Sequence, residues 1–122
     1  MINKTRGESE AAFTREIIRI EKEFLGRGPH EVRTFFLEDL IVVRLRGILT
    51  QAENKLSETQ DGRELIKETR RRLFESARPL IEVAVKNILD CNIISMHTDI
   101  STHTGERIIV LTADVNLDKK FS

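Results

Sequence analysis

The chain has 122 residues, which is the size of one ordinary domain. Hydrophobic residues make up 39% of it and charged residues 33%, which is enough apolar material for a folded core and too much for a disordered chain. Its 20 basic and 20 acidic side chains cancel, so its bulk charge is not that of a nucleic-acid-binding domain. The single Cys91 excludes a disulfide within the chain.

No apolar run approaches the roughly 20 residues that a membrane-spanning helix needs. The polar N-terminus also lacks the apolar segment of a signal peptide. We therefore expect a soluble cytoplasmic protein with one domain over residues 1–122, flexible at residues 1–8 and 118–122.

The first predicted element is an amphipathic helix that begins at about Ser9. Its apolar side chains follow a 4-3-4 spacing, which places them on one helix face: Phe13, Ile17, Ile20 and Phe24. The segment Gly26-Arg27-Gly28-Pro29 should end this helix, because glycine suits a C-cap and proline cannot continue a helix.

Residues 32–37 and 40–46 read as a β-hairpin with Glu38-Asp39 at its turn. The turn lacks the glycine that is typical of a two-residue loop, which leaves the register open by one residue. Gly47 ends the second strand.

Thr50 and Glu53 match a capping box, so a short helix over about 51–59 follows the hairpin. Residues 62–89 then keep their apolar residues in one helical phase throughout. Pro79 interrupts this segment, and the unbroken phase favours one kinked helix over two unrelated ones. At about 1.5 Å per residue, such a helix would be longer than a compact domain of this size.

Two more strands are predicted at 92–101 and 107–112, with a turn at 103–106. In the first of them Ile94, Met96 and Ile100 alternate with polar residues, which places them on one face. The fold class is α+β with the order αββααββ. The N-terminal helix and the long kinked helix would pack on an antiparallel or mixed four-stranded sheet.

The strands near Val42 and Ile109 are apolar on both faces, and a sheet with helices on one side would leave one of those faces wet. A second apolar line also runs along the long helix. These observations predict a homodimer or higher homo-oligomer. The candidate interface residues are Phe74, Ile81, Val85, Val42, Ile109 and Leu111.

A catalytic or metal-binding site would have to use the segment His97–His103, where His97, Asp99, Ser101 and His103 alternate. If the strand continued to His103, the two histidines would lie about 20 Å apart, which is too far for one metal ion. A solvated strand face is the simpler interpretation. We therefore predict no enzymatic activity, no cofactor and no metal.

The cluster Arg70-Arg71-Arg72 could contact RNA, but nearby glutamates can pair with it, and the chain has no Trp or Tyr for stacking on bases. We predict no nucleic-acid partner. Cys91 has no evident base beside it, and the glycines at 26 and 28 do not open a helix, so neither a nucleophile nor a phosphate loop is indicated.

Several landmarks follow one another over about residues 8–118: Gly26-Arg27-Gly28-Pro29, the segment 40–53, Gly62, Arg70-Arg71-Arg72-Leu73, His97-Thr98-Asp99 and Thr104-Gly105-Glu106. In this order they resemble the bacterial MpsC-like family, named for the C component of a Na+-translocating membrane-potential-generating system. The resemblance implies a small soluble protein that assists membrane proteins in the uptake of ions or inorganic carbon. It supplies no functional residues.

We therefore predict a non-catalytic accessory or regulatory protein that acts through self-association and protein binding. A membrane protein would be its further partner, and the chain would lie at the inner membrane only through that partner. The alternative is a small enzyme or metal-binding protein that uses the segment His97–His103.

Overall fold

The computed structural model describes residues 4–25 and 28–121. The helices in these residues are α1 (Arg6–Leu25), α2 (Gln51–Leu56), α3 (Gln60–Ser76), α4 (Arg78–Leu89) and α5 (Leu117–Lys120). The strands are β1 (Glu31–Leu37), β2 (Leu40–Arg46), β3 (Ile93–Ser101) and β4 (Glu106–Ala113). Gly26 and Arg27, which belong to the predicted helix end, lie outside the described residues.

The four strands form one sheet in the order β1-β2-β4-β3, and each neighbouring pair is antiparallel. This confirms the α+β class and selects the antiparallel alternative. The first hairpin pairs Leu37 with Leu40, as the two-residue turn predicted. Glu38 in that turn has φ 56°, and its carbonyl accepts a hydrogen bond of 2.6 Å from the amide of Leu117. The C-terminal helix thus stabilises a turn that lacks glycine.

The core lies between the helices and one face of the sheet. The strand residues on this face are almost fully inaccessible to solvent: Ile41, Val43, Leu45, Ile109 and Leu111 are each 0–1% exposed. Apolar side chains from α1 and α4 belong to the same core, among them Phe13, Ile17, Ile81 and Val85. The predicted amphipathic face of the first helix is therefore confirmed as a core face.

The predicted long helix is interrupted at Ala77, which separates α3 from α4, although Ala77 keeps right-handed helical backbone angles and its carbonyl still accepts a hydrogen bond of 3.1 Å from the Ile81 amide. Pro79 lies in the first turn of α4, where its missing amide proton costs nothing. Within a continuous helix its ring would clash with the carbonyl of Glu75. Because the two helices are short, helix length no longer argues for a second copy.

The faces of β3 were predicted correctly for Met96 and Ile100 but not for Ile94. A register shift between Ile93 and Ser95 interrupts the alternation, and Ile94 is 63% exposed. An extra residue in one strand changes which side chains face the core.

The C-terminal residues 117–121 pack against the rest of the chain. Leu117 is buried, the ring of Phe121 stacks on Phe36 with 5.8 Å between centroids, and Asp118 pairs with Arg6. Within the two ends that we expected to be flexible, the described residues Arg6, Asp118 and Phe121 take part in these contacts.

Candidate protein-binding surface

The sheet face that points away from the core carries the strand residues that alternate with the buried ones. We call this surface the open face. In the described residues its members are Glu31, Arg33, Phe35 and Leu37 from β1, Leu40, Val42, Arg44 and Arg46 from β2, Glu106, Ile108, Val110 and Thr112 from β4, and Ser95, His97, Asp99 and Ser101 from β3. All are half-buried or exposed. At the β3 edge of this face, Lys67 of α3 pairs with Asp99.

The strand register arranges these residues in rows that run across the sheet. One row contains Phe35, Val42, Val110 and His97. The row beside it contains Arg33, Arg44, Ile108 and Asp99. Apolar side chains therefore dominate the end of the face near the first hairpin turn, and charged side chains dominate the opposite end.

The apolar end is well exposed at the edge strand. Phe35 is 43% exposed and Leu37 is 57% exposed, and Leu40 and Val42 lie beside them. Contiguous apolar surface with a polar border is typical of a site that binds another protein.

The charged end contains ion pairs within the sheet. Arg44 Nε lies 2.7 Å from Glu106 Oε2, while Arg46 lies 3.7 Å from Glu31 and 3.8 Å from Glu106. The Arg33 guanidinium lies 5.2 Å from the centre of the Phe35 ring, and no ion pair joins Arg33 to a described acidic residue.

Most of the predicted interface residues are buried within the chain itself. Phe74, Ile81, Val85, Ile109 and Leu111 are 0–6% exposed and belong to the single core. The second apolar line along the helical segment 62–89 exists because α3 and α4 pack on both α1 and the sheet. Within this structure they have no free surface for a second copy, whereas Val42 lies on the open face.

The segment around the histidines does not bring a metal-ligand set together. β3 ends at Ser101, so His103 lies in the following turn, and the exposed Asp99 carboxylate lies 3.5 Å from Lys67 Nζ. Among the described residues, no group of three His, Cys, Asp or Glu side chains could hold a metal ion.

The arginine cluster is engaged by acidic residues. Arg70 is 2% exposed, and its Nε donates a hydrogen bond of 2.7 Å to Glu53. Arg71 and Arg72 both pair with Glu68 and lower its pKa to about 2. The pairing of Arg71 and Arg72 with Glu68 follows the spacing of the nearby glutamates, whereas the pairing of Arg70 with Glu53 was not predicted.

Sequence reasoning missed a buried ionic network that includes Arg107. Arg107 and Glu21 are 3% and 6% exposed, and the Arg107 guanidinium also lies 5.2 Å from the centre of the Phe74 ring. Burial raises the pKa of Glu21, an effect that Arg107 and Arg70 oppose. The sequence gives little indication of this network, because a charged residue at a buried strand position is easily interpreted as the end of the strand.

Cys91 is buried, and this burial raises the pKa of its thiol. A raised pKa keeps the sulfur protonated and poorly nucleophilic at neutral pH. Cys91 packs within the hydrophobic core.

The fold and the open face define an α+β protein whose antiparallel sheet is covered by helices on one side only. The chain belongs to the MpsC family, whose description is "Na+-translocating membrane potential-generating system (MpsC)" and whose model matches residues 5–115. This confirms the family resemblance. Among the described residues, no helix is long and apolar enough to cross a membrane.

Two proteins of Bacillus subtilis are similar to this chain. The uncharacterized protein YbcI is 37% identical over 118 residues, which is 97% of this chain and 95% of YbcI. The uncharacterized protein YrhF is 24% identical over 109 residues, which is 88% of this chain and 89% of YrhF. No solved structure matches the chain significantly.

Proposed function

We propose that this protein is a non-catalytic accessory or regulatory component of a membrane system that moves ions or inorganic carbon. It acts by binding proteins, including further copies of itself, through the open face. The description of its family supports the link to a Na+-dependent membrane system. Ion translocation itself would be the task of a membrane-protein partner.

One observation carries the proposal: helices cover one face of the sheet, and the other face keeps apolar side chains in solvent. Leu37 and Phe35 together expose large apolar groups beside Leu40 and Val42. Their burial against a partner would stabilise a complex by about 25 cal/mol for each Å² of apolar surface removed from water. A surface of this kind provides a protein-binding function, and the described residues contain no recognisable set of catalytic side chains.

The proposal that the protein is not an enzyme is supported by the contacts of its buried arginines and by the burial of its thiol. Arg70 is paired with the half-buried Glu53, Arg107 is paired with the buried Glu21, and Cys91 is a buried thiol. We place the protein in the cytoplasm, at the inner membrane through its partner, where an accessory protein could reach the inner side of a transport system.

A complementation experiment tests this function. The gene is deleted in its native host, and membrane potential is measured with a voltage-sensitive dye across a range of Na+ concentrations. Wild type, Leu37→Glu, Leu65→Glu and His103→Ala are then expressed at equal levels. Leu65 is a matched control because it has the same 57% exposure as Leu37 but lies on α3.

We expect deletion to reduce the Na+-dependent potential, and we expect wild type, Leu65→Glu and His103→Ala to restore it. Leu37→Glu should fail to restore it although the protein stays folded. An unchanged potential after deletion would contradict the accessory role. Loss of function in a folded His103→Ala protein would instead favour the enzyme or metal-binding alternative.

A further inference from the structure

We infer that the open face binds a second copy of this chain across a two-fold axis that runs parallel to the strands, between β2 and β4. This inference rests on the proposed function, because it assigns an occupant to the same surface. It goes further by specifying which residues of the two copies meet.

A closed two-fold dimer requires a surface that is complementary to itself. When two sheets pack face to face about an axis parallel to their strands, each row of residues lies over the same row of the other copy. The strands change places across the axis, so that β1 lies over β3 of the second copy and β2 lies over β4 of the second copy. The strand register therefore determines which residues meet.

The charges of the open face are divided between its two halves in the way that this pairing needs. The half formed by β1 and β2 carries Arg33, Arg44, Arg46 and the single acidic residue Glu31. The half formed by β4 and β3 carries two carboxylates, Glu106 and Asp99. One half is therefore net positive, the other is net negative by the same amount, and the whole face is neutral.

The pairing places opposite charges in register. Arg33 and Asp99 occupy the same row at opposite edges of the sheet. In the dimer, Arg33 of each copy therefore lies over Asp99 of the other copy. Arg33 has no described acidic partner within its own chain, and Asp99, whose side chain is 83% exposed, has one exposed partner, Lys67 at 3.5 Å, which leaves most of its surface accessible. Both groups are thus available for a contact between copies.

A shallow depression in the positive half strengthens this assignment. It has a volume of about 90 Å³ and is lined by Glu31, Arg33, Phe35, Arg44 and Arg46. In the two-fold arrangement, Glu106 and Asp99 of the second copy lie above it. Two carboxylates thus approach a depression with three guanidinium groups.

The apolar residues meet mixed partners in this arrangement, since Leu37 and Leu40 lie over Ser95 and Thr112 of the second copy. Val42 lies over Val110 of the second copy, and Phe35 lies over His97. A two-fold axis across the strands would instead place the row of Leu37 and Leu40 against the charged row of Glu31 and Arg46. Charge and hydrophobicity therefore favour the same axis.

The size of the face indicates how tight the dimer is. Four strands spaced about 4.8 Å apart, with about seven residues of about 3.4 Å each, cover about 450 Å². Two such faces together remain below the roughly 1,200 Å² that separates stable interfaces from weak ones. The dimer is therefore reversible, and its chains fold before they associate.

Sedimentation equilibrium tests the pairing. The protein concentration runs from about 5 to about 200 µM, because weak complexes typically have dissociation constants of about micromolar size. The variants are Arg33→Glu, Asp99→Arg and the double variant with both changes. Lys55→Glu and Glu58→Arg are matched charge reversals on exposed residues away from the open face. Circular dichroism confirms that each variant is folded.

Each single reversal places like charges over each other twice in a two-fold dimer, so we expect its dissociation constant to rise about tenfold or more. The double variant should regain wild-type affinity, as should a mixture of the two single variants. The two control reversals should change the constant less than about twofold.

A monomeric wild type at 200 µM would overturn the inference, as would a dimer that the single reversals leave unchanged. Binding of monomeric wild type to vesicles with 30% phosphatidylglycerol, lost in Leu37→Glu, would assign the face to a lipid surface instead. The complementation experiment tests the accessory role separately, because it measures membrane potential after gene deletion and does not assay the dimer.

Discussion

Glu21 of α1 and Arg107 of β4 form a buried ion pair with 3.5 Å between Oε1 and Nη1, although they lie 86 residues apart in the chain. The pair joins the first helix to a central strand of the sheet. Arg107 also donates a hydrogen bond of 3.3 Å to the carbonyl of Arg70, which ties α3 to the same point. Three elements of the fold thus meet at one guanidinium group.

Removal of one partner from this pair should be strongly destabilising. Arg107→Leu leaves the Glu21 carboxylate buried without its neighbour, and we expect the free energy of unfolding to fall by about 3 kcal/mol. The double variant Glu21→Leu/Arg107→Leu should recover most of this loss, because no charge remains buried. Urea unfolding of the two single variants and the double variant measures the coupling, and additive losses would contradict it.

The same pair predicts a pH dependence. Because burial raises the pKa of folded Glu21, the folded state binds more protons at this site than the unfolded state does. Its contribution to stability is present below the unfolded pKa and is lost as pH rises through the folded pKa. Arg107→Leu removes an opposing positive charge, so its stability should decrease more steeply than that of wild type as pH rises above the unfolded pKa of about 4.3. Unfolding curves at several pH values test this, and parallel profiles would refute it.

The capping residue Glu53 should matter more than a surface glutamate. Glu53 accepts hydrogen bonds from the Thr50 amide and from the buried Arg70, and these bonds lower its pKa although burial acts in the opposite direction. Glu53→Gln should cost about 2 kcal/mol, because it removes a charge from a buried guanidinium. Glu58→Gln, whose pairing with Lys55 is exposed, should change stability by less than about 0.5 kcal/mol. Equal effects in thermal unfolding would argue against a special role of Glu53.

We expect no bound transition metal in the purified protein. His103 lies in a turn beyond the end of β3, and no metal-ligand group occurs in the described residues. His97→Ala and His103→Ala should therefore contain no less metal than wild type by elemental analysis. Stoichiometric zinc or nickel that either variant loses would contradict this expectation.

Binding of nucleic acid should be weak and should disappear at physiological salt. Arg70 is buried against Glu53, and Arg71 and Arg72 are paired with Glu68, so few guanidinium groups remain for phosphate contacts. Fluorescence anisotropy with short RNA and DNA at 0.05 and 0.15 M salt measures this. Submicromolar binding at the higher salt concentration would show that the arginine-rich helix is a nucleic-acid site.

The elements themselves could be predicted because their signals are local. The hydrophobic spacing of α1, the Thr50–Glu53 capping box and the two-residue turn at Glu38 all depend on neighbours in the chain. Pro79 marked the interruption near Ala77, while the apolar periodicity, which continues across it, did not. The bulge at Ile94 leaves no signature in the alternating pattern.

The candidate surface could be predicted only in part. Two apolar faces in β2 and β4 correctly indicated that the sheet carries exposed apolar side chains. Which of Val42 and Ile109 faces the core depends on where the helices pack, and this is a tertiary property. The division of charge on the open face depends on the strand order, because Arg33 and Asp99 come to lie in the same row only through the pairing of β2 with β4.

The strand order also has a consequence for how the chain acquires its structure during synthesis. Each hairpin is local, but the sheet is completed only when β2 pairs with β4, where Val43 meets Ile109. Three helices and β3 must be synthesised between these residues, so this long-range closure should limit the folding rate. Until β4 leaves the ribosome, β2 keeps an unpaired edge, and the growing polypeptide is then most exposed to aggregation and most dependent on chaperones.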